Sequence, residues 1–171
     1  MKRVNSILLL VFVLATVALT ACKIGYSFTG ASVAANVKTF SVYDFPNRAR
    51  LVNPTLSQNF IDGLQEKLIR QTSLSQIQEN GDLEFSGQIT EYDVRPMNIQ
   101  QGDLAGLNRL TIGVKIKYVN NKEHEQDWEK SFTAYEDFES TQRLDDVEDA
   151  LVPEIIKKLT DDIFNASIAN W

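Results

Sequence analysis

The chain carries one cysteine and one histidine in 171 residues. A single thiol excludes an internal disulfide framework and a Cys-rich zinc centre, and a single imidazole removes most metal and triad chemistry. Basic residues are outnumbered, 17 Lys and Arg against 23 Asp and Glu, for a net charge of −6. No nucleic-acid partner is therefore expected, since neutralising phosphates takes a basic surface or stripe. Apolar runs are short as well: Ile7–Leu19 counts thirteen residues, against the ~20 a helix needs to cross a bilayer core. The sequence holds no Gly-rich phosphate loop, no His-Glu-x-x-His, no EF-hand loop and no Gly-x-Ser-x-Gly elbow. His124, within Lys122-Glu123-His124-Glu125, reads as a solvated turn residue, and Asp145-Asp146 and Asp161-Asp162 read as helix caps and wet faces. Neither an enzyme nor a cofactor or metal is expected. At 43% hydrophobic and 23% charged, the composition is that of an ordinary globular domain.

What is present begins with an address. Lys2 and Arg3 precede the weakly polar run Ile7–Leu19, which meets Leu19-Thr20-Ala21-Cys22. A basic start, a short apolar core and small residues before the cut are the layout of a secretory signal. The expected organisation is a removed signal over residues 1–21, an N-terminal anchored segment over 22–36 and a single domain over 37–171. Leu-Thr-Ala-Cys resembles the lipobox of bacterial lipoproteins. That resemblance implies a diacylglycerol on the Cys22 thiol and an acylated new amino terminus, held in the inner leaflet of the outer membrane through its acyl chains. Two or more chains make such anchoring durable where one does not. Lys23, rather than Asp, follows Cys22, which in that family goes with outer-membrane sorting and a periplasm-facing domain.

Turn signals divide the mature chain into six elements. Val37–Phe45 is rich in β-branched and aromatic residues and ends at Pro46-Asn47, so it reads as a strand. Asn53-Pro54 resembles an N-cap with Pro at the first helical position, and Leu56, Phe60, Leu64 and Leu68 recur every four residues, with Ile61 and Ile69 widening the stripe. The first helix is expected over Pro54–Gln71. After the Asn80-Gly81-Asp82 turn, Leu83, Phe85 and Ile89 alternate with polar residues, but the apolar phase then moves to Tyr92 and Val94. That shift predicts a bulge near Glu91 or the end of the buried part of the strand.

Leu110, Ile112, Val114, Ile116 and Tyr118 alternate without a break and form the clearest strand. Asn120-Asn121 turns the chain into a fourth strand over Gln126–Phe138, where Trp128 is expected to fill core. Val147, Leu151, Ile155, Leu159 and Ile163 predict a closing helix, with Asp145 and Asp146 suited to its cap. Pro153 either kinks that helix or marks the start of a second one, and Trp171 suits a terminal contact. The expected fold is α+β, a two-layer sandwich in the order β-α-β-β-β-α, with a four-stranded, mostly antiparallel or mixed sheet and two helices on one face.

A sheet covered on one side leaves its other face to solvent or a partner. Arg109, Lys115 and Lys117 share that side of the clearest strand. They are either the wet face of an antiparallel sheet or a cationic strip able to meet phosphate groups of an anionic lipid.

Several segments in this order resemble the Bacteroidetes branch of the LptE family of lipopolysaccharide-assembly lipoproteins. They are Gly25-Tyr26-Ser27-Phe28 soon after the lipobox, Phe45-Pro46-Asn47-Arg48-Ala49 leading through Val52-Asn53-Pro54-Thr55-Leu56-Ser57-Gln58, Gly81-Asp82-Leu83, Asn108-Arg109-Leu110-Thr111-Ile112, and the ending from Asp162-Ile163-Phe164-Asn165 to Ala169-Asn170-Trp171. The resemblance implies two helices on a four-stranded sheet and a plug in the lumen of the LptD outer-membrane β-barrel, which helps that barrel assemble and deliver lipopolysaccharide to the cell surface. Arg109, Lys115 and Lys117 are then candidate contacts to lipopolysaccharide or barrel. The alternative is a lipid-binding carrier, or an auxiliary lipoprotein of another envelope transport system, with an apolar groove between sheet and helices.

Overall fold

In the computed structural model, residues 33–51, 53–97 and 106–168 are described. Cys22, the expected signal segment over residues 1–21 and Trp171 lie outside the described residues. The elements are β1 (Thr39–Val42), α1 (Leu56–Gln71), β2 (Ser75–Gln76), β3 (Leu83–Met97), β4 (Leu107–Asn120), β5 (Trp128–Glu139) and α2 (Leu144–Ser167), with one 3-10 turn at His124–Gln126. The class is α+β as expected, but the sheet has five strands in the order β2-β1-β3-β4-β5. The added strand, β2, is a two-residue polar segment paired in parallel with β1. It carries no apolar alternation, so no periodicity marks it.

β1 also runs parallel to β3, with α1 as the crossover between them, and β3, β4 and β5 are antiparallel neighbours. The apolar phase shift in β3 is a bulge: the register slips between Ile89 and Glu91. Leu83, Phe85 and Ile89 before it and Tyr92 after it are all buried on one face, which the extra residue makes compatible with a period of two.

α1 buries Leu56, Phe60, Leu64 and Leu68, while Ile69 is half exposed and lies on the flank of the stripe rather than within it. The helix begins at Leu56, two residues later than expected. The cap position is held by Thr55 and not by Asn53, whose Oδ1 accepts from the Thr55 N–H and the Thr55 hydroxyl, each at 2.9 Å, and so fixes the turn that leads into the helix. α2 is one helix with Pro153 inside it. Asp145 and Asp146 sit in its first turn rather than at the cap, where their charge faces the positive end of the helix dipole. Gly63 lets the two helices meet: a Cβ there would stand 2.8 Å from Ile156 Cγ2.

The core lies between the helices and one face of the sheet, with Phe40, Phe45, Phe60, Phe85, Ile112, Ile116, Ile155, Leu159 and Ile163 essentially inaccessible. Each such side chain contributes about 1.5–3 kcal/mol by leaving water. Phe45 and Phe60 meet edge to face at 5.0 Å. Trp128 is half-buried, stacked on Tyr118 at 5.3 Å with Phe132 edge-on at 5.8 Å, and Val33 and Ala34 also pack against the core.

Two carboxylates tie separate elements together. Glu148 of α2 accepts from the Tyr92 hydroxyl on β3 and, at 2.6 Å, from Asn53 Nδ2 before α1. Burial, followed by the bond to Glu148, pushes the Tyr92 hydroxyl pKa upward. Asp82 accepts from the N–H groups of Lys38 and Thr39 at 2.7 and 3.1 Å and pairs with Lys122 at 2.8 Å. It thus joins the start of β1, the start of β3 and the turn after β4. The Lys122 contact, with these main-chain bonds, holds its pKa down at about 2.

Candidate functional site: the open face of the sheet

Helices cover one face of the sheet, so the residues that alternate away from them compose the other. Across β3, β4 and β5 they fall in cross-strand rows: Ser86–Lys117–Glu129, Gln88–Lys115–Ser131, Glu91–Gly113–Thr133, Asp93–Thr111–Tyr135, Arg95–Arg109–Asp137 and Met97–Leu107–Glu139. The cations predicted from sequence share this face, but they are not one strip. Arg109 is separated from Lys115 by Thr111 and Gly113, and its surroundings differ in kind.

Arg109 is locked. Its Nε and NH2 donate to the two carboxylate oxygens of Asp137 at 2.7 and 2.9 Å, a bidentate fork that favours arginine over lysine. Its guanidinium also lies 3.6 Å from the centre of the Tyr135 ring, a stacking contact beyond the reach of a simple ion pair. The Asp137 bond raises the Arg109 pKa, and Arg109 lowers that of Asp137. In the same row, Arg95 donates to Asp93 at 2.8 Å and to Glu91 at 3.3 Å, and Asp93 is held below the ordinary carboxylate range by it. Like charges set opposite each other across antiparallel strands repel; here each arginine carries its own carboxylate. Lys158 of α2 completes the cluster from the edge, donating to the Tyr135 carbonyl at 3.0 Å and pairing with Glu136 at 2.7 Å.

The other end of the face is looser. Lys115 pairs with Glu129, which it holds below its ordinary pKa, and both side chains are about half exposed. Lys117 forms no ion pair among the described residues, because the Glu129 opposite it is taken by Lys115. Ser86, Gly87, Gln88, Lys115, Lys117 and Glu129 line a shallow hollow of about 310 Å³. Gly87 is required there, since a Cβ would run into the Lys115 carbonyl oxygen.

His124 is exposed in its turn, 3.0 Å from Asp127 Oδ2. Among the described residues, no group of three or more His, Cys, Asp or Glu side chains is arranged to hold a metal ion, and no helix is long and apolar enough to cross a membrane. A larger groove of about 670 Å³ runs between α1 and α2. Pro153 and Ile156 line it beside Lys67, Arg70 and Asp161, and it lies between the two helices rather than between sheet and helices, where the lipid-carrier alternative places its groove. Sequence reasoning missed Tyr135 and Asp137, the partners of Arg109. Their alternation with Thr133 on the fourth strand places them on this face, but their pairing with Arg109 depends on the β4–β5 register.

An α+β domain with one helix-covered and one open, charge-patterned sheet face is the class of protein these features define. The chain belongs to the LptE family, described as lipopolysaccharide-assembly, whose model matches residues 37–167. Among solved structures it is similar to a minor lipoprotein from Acinetobacter baumannii, with 16% identity and a TM-score of 0.53 over 78% of this chain and 94% of that one. It is also similar to a hypothetical protein from Chlamydia trachomatis, with 8% identity and a TM-score of 0.51 over 74% and 93%. At these identities the likeness shows a shared fold alone. No curated protein matches the sequence.

Proposed function

We propose that this protein is an outer-membrane lipoprotein that seats within, and helps assemble, an LptD-type β-barrel through which lipopolysaccharide reaches the cell surface. Membership of the lipopolysaccharide-assembly family across residues 37–167 carries this reading. The physical chemistry fits it. Acyl chains on Cys22 would confine the domain to the inner leaflet of the outer membrane, raising its effective concentration beside a barrel in the same membrane. A rigid two-layer domain with a polar open face suits the polar wall that such barrels turn inward. The work is fitting and positioning, with no chemical step. Of the three cations, Lys115 and Lys117 are the ones with donors available to a phosphate group of lipopolysaccharide; Arg109 is committed to Asp137. The test is crosslinking of the native lipoprotein in membranes, followed by affinity purification and mass spectrometry. A large β-barrel among the crosslinked products is the expected result; repeated recovery without one overturns the proposal.

A further inference from the structure

The two ends of the open sheet face differ in what it costs to remove them from water. We infer that the Arg95–Arg109–Asp137 row, with Tyr135 beside it, is the docking platform for the barrel wall, and that the Lys115–Lys117 end is not. This rests on the plug reading above and adds which surface of the chain makes the contact.

Burying a bare charge is expensive, whereas a charge that enters an interface with its partner already in place has had much of that penalty met. Arg109 has both carboxylate oxygens of Asp137 and a ring face, and Arg95 has Asp93 and Glu91. No new counter-charge is needed when this end is covered. Lys117 shares Glu129 with Lys115, so two ammonium groups there have one carboxylate between them, and covering that end by protein leaves a positive charge to be met.

Composition and order agree with the same choice. Tyr135 is 46% exposed, and Met97 and Leu107 in the next row are 37% and 38% exposed. Arginine, tyrosine and methionine are enriched at interfaces, lysine is depleted, and buried Tyr and Arg anchors supply most of the energy. The ring, the guanidinium and the carboxylate brace one another, so little rotamer freedom remains to be lost on docking. The platform is nearly charge-compensated, Arg95 and Arg109 against Glu91, Asp93 and Asp137. It therefore suits a wall of mixed polar residues, such as barrel interiors present, better than a strongly anionic lipid surface.

The experiment uses the full-length lipoprotein in its own envelope and quantifies the barrel recovered with it. Tyr135→Ala removes an exposed ring outside the core, and Arg109→Lys keeps charge while losing the fork and the stack. Each is expected to lower barrel recovery at least about tenfold, as interface anchors do, at unchanged protein abundance and melting temperature. The double variant Lys115→Ala, Lys117→Ala is expected to recover the barrel within about twofold of the wild type, as surface residues outside the anchors do. If wild type and Tyr135 and Arg109 variants recover it equally, the platform assignment is wrong and the plug reading stands. If only the lysine variant loses it, the assignment is reversed. If the wild type recovers no barrel, the plug reading itself fails and takes this inference with it.

Discussion

Replacing Asp82 with Asn keeps the shape of the side chain and removes its charge. In the wild type, that carboxylate terminates two main-chain N–H groups at the start of β1 and a lysine from the turn after β4. The fall of its pKa from an ordinary 3.8 to about 2 corresponds to roughly 2 kcal/mol of preference for the ionised, folded form. The side chain is 17% exposed, and solvent screening brings the expected loss to about 1–2 kcal/mol at pH 7. For a domain of this size that is a drop of about 3–6 °C in melting temperature. The folded pKa is the lower one, so this stabilisation is complete above the ordinary carboxylate range. It is lost as pH falls from about 4 toward 2, where the unfolded chain takes up a proton before the folded chain does. Urea unfolding of wild type and Asp82→Asn at a series of pH values from 7 to 2.5 measures the difference directly. It should shrink by more than half at the acid end. A difference that stays constant across the series would refute the reasoning, because the benefit would then come from shape or local packing and not from the ionised carboxylate.

Gly87→Ala is expected to prevent stable folding, with a cost of more than about 3 kcal/mol, since the added methyl meets the Lys115 main chain on the neighbouring strand; soluble yield and thermal melting report it. Pro153→Ala restores an amide within α2 and should raise stability by about 1–3 kcal/mol, read from the urea midpoint; a fall would mean that packing of the Pro153 ring outweighs the recovered bond. Cys22→Ser should abolish acylation and release the protein from the membrane fraction, with intact-mass measurement of the wild type showing the lipid increment that the variant lacks.

Most of the architecture was legible because it follows from periodicity. Leu110, Ile112, Val114, Ile116 and Tyr118 could only form a strand with one buried face, and the jump from Ile89 to Tyr92 left two readings near Glu91, a bulge or the end of the buried strand, of which the fold takes the bulge. Leu56, Phe60, Leu64 and Leu68 named the core side of α1 residue by residue. β2 was illegible because Ser75 and Gln76 pair through main chain alone, and pairing of that kind leaves no side-chain signature. Pro153 was ambiguous because a proline costs a helix one bond and a local clash, a penalty that the buried residues on either side of it, Val152, Ile155 and Ile156, outweigh. The candidate face was half legible: alternation put Arg109, Lys115 and Lys117 on the same side, but only the pairing of β4 with β5 shows that Asp137 and Tyr135 immobilise the first, that Glu129 answers the second, and that the third faces the same Glu129 without an ion pair of its own.

The single surplus residue between Ile89 and Glu91 has a consequence for how such a chain can change over time. Point substitutions along the far half of β3 alter one contact each, and loss of Thr90 would leave a regular ladder with every side chain on its present face, but loss of one residue beyond the bulge, at Asp93, would send Arg95 toward the greasy interior and Val94 out into water. The length of that segment is therefore under tighter constraint than its spelling.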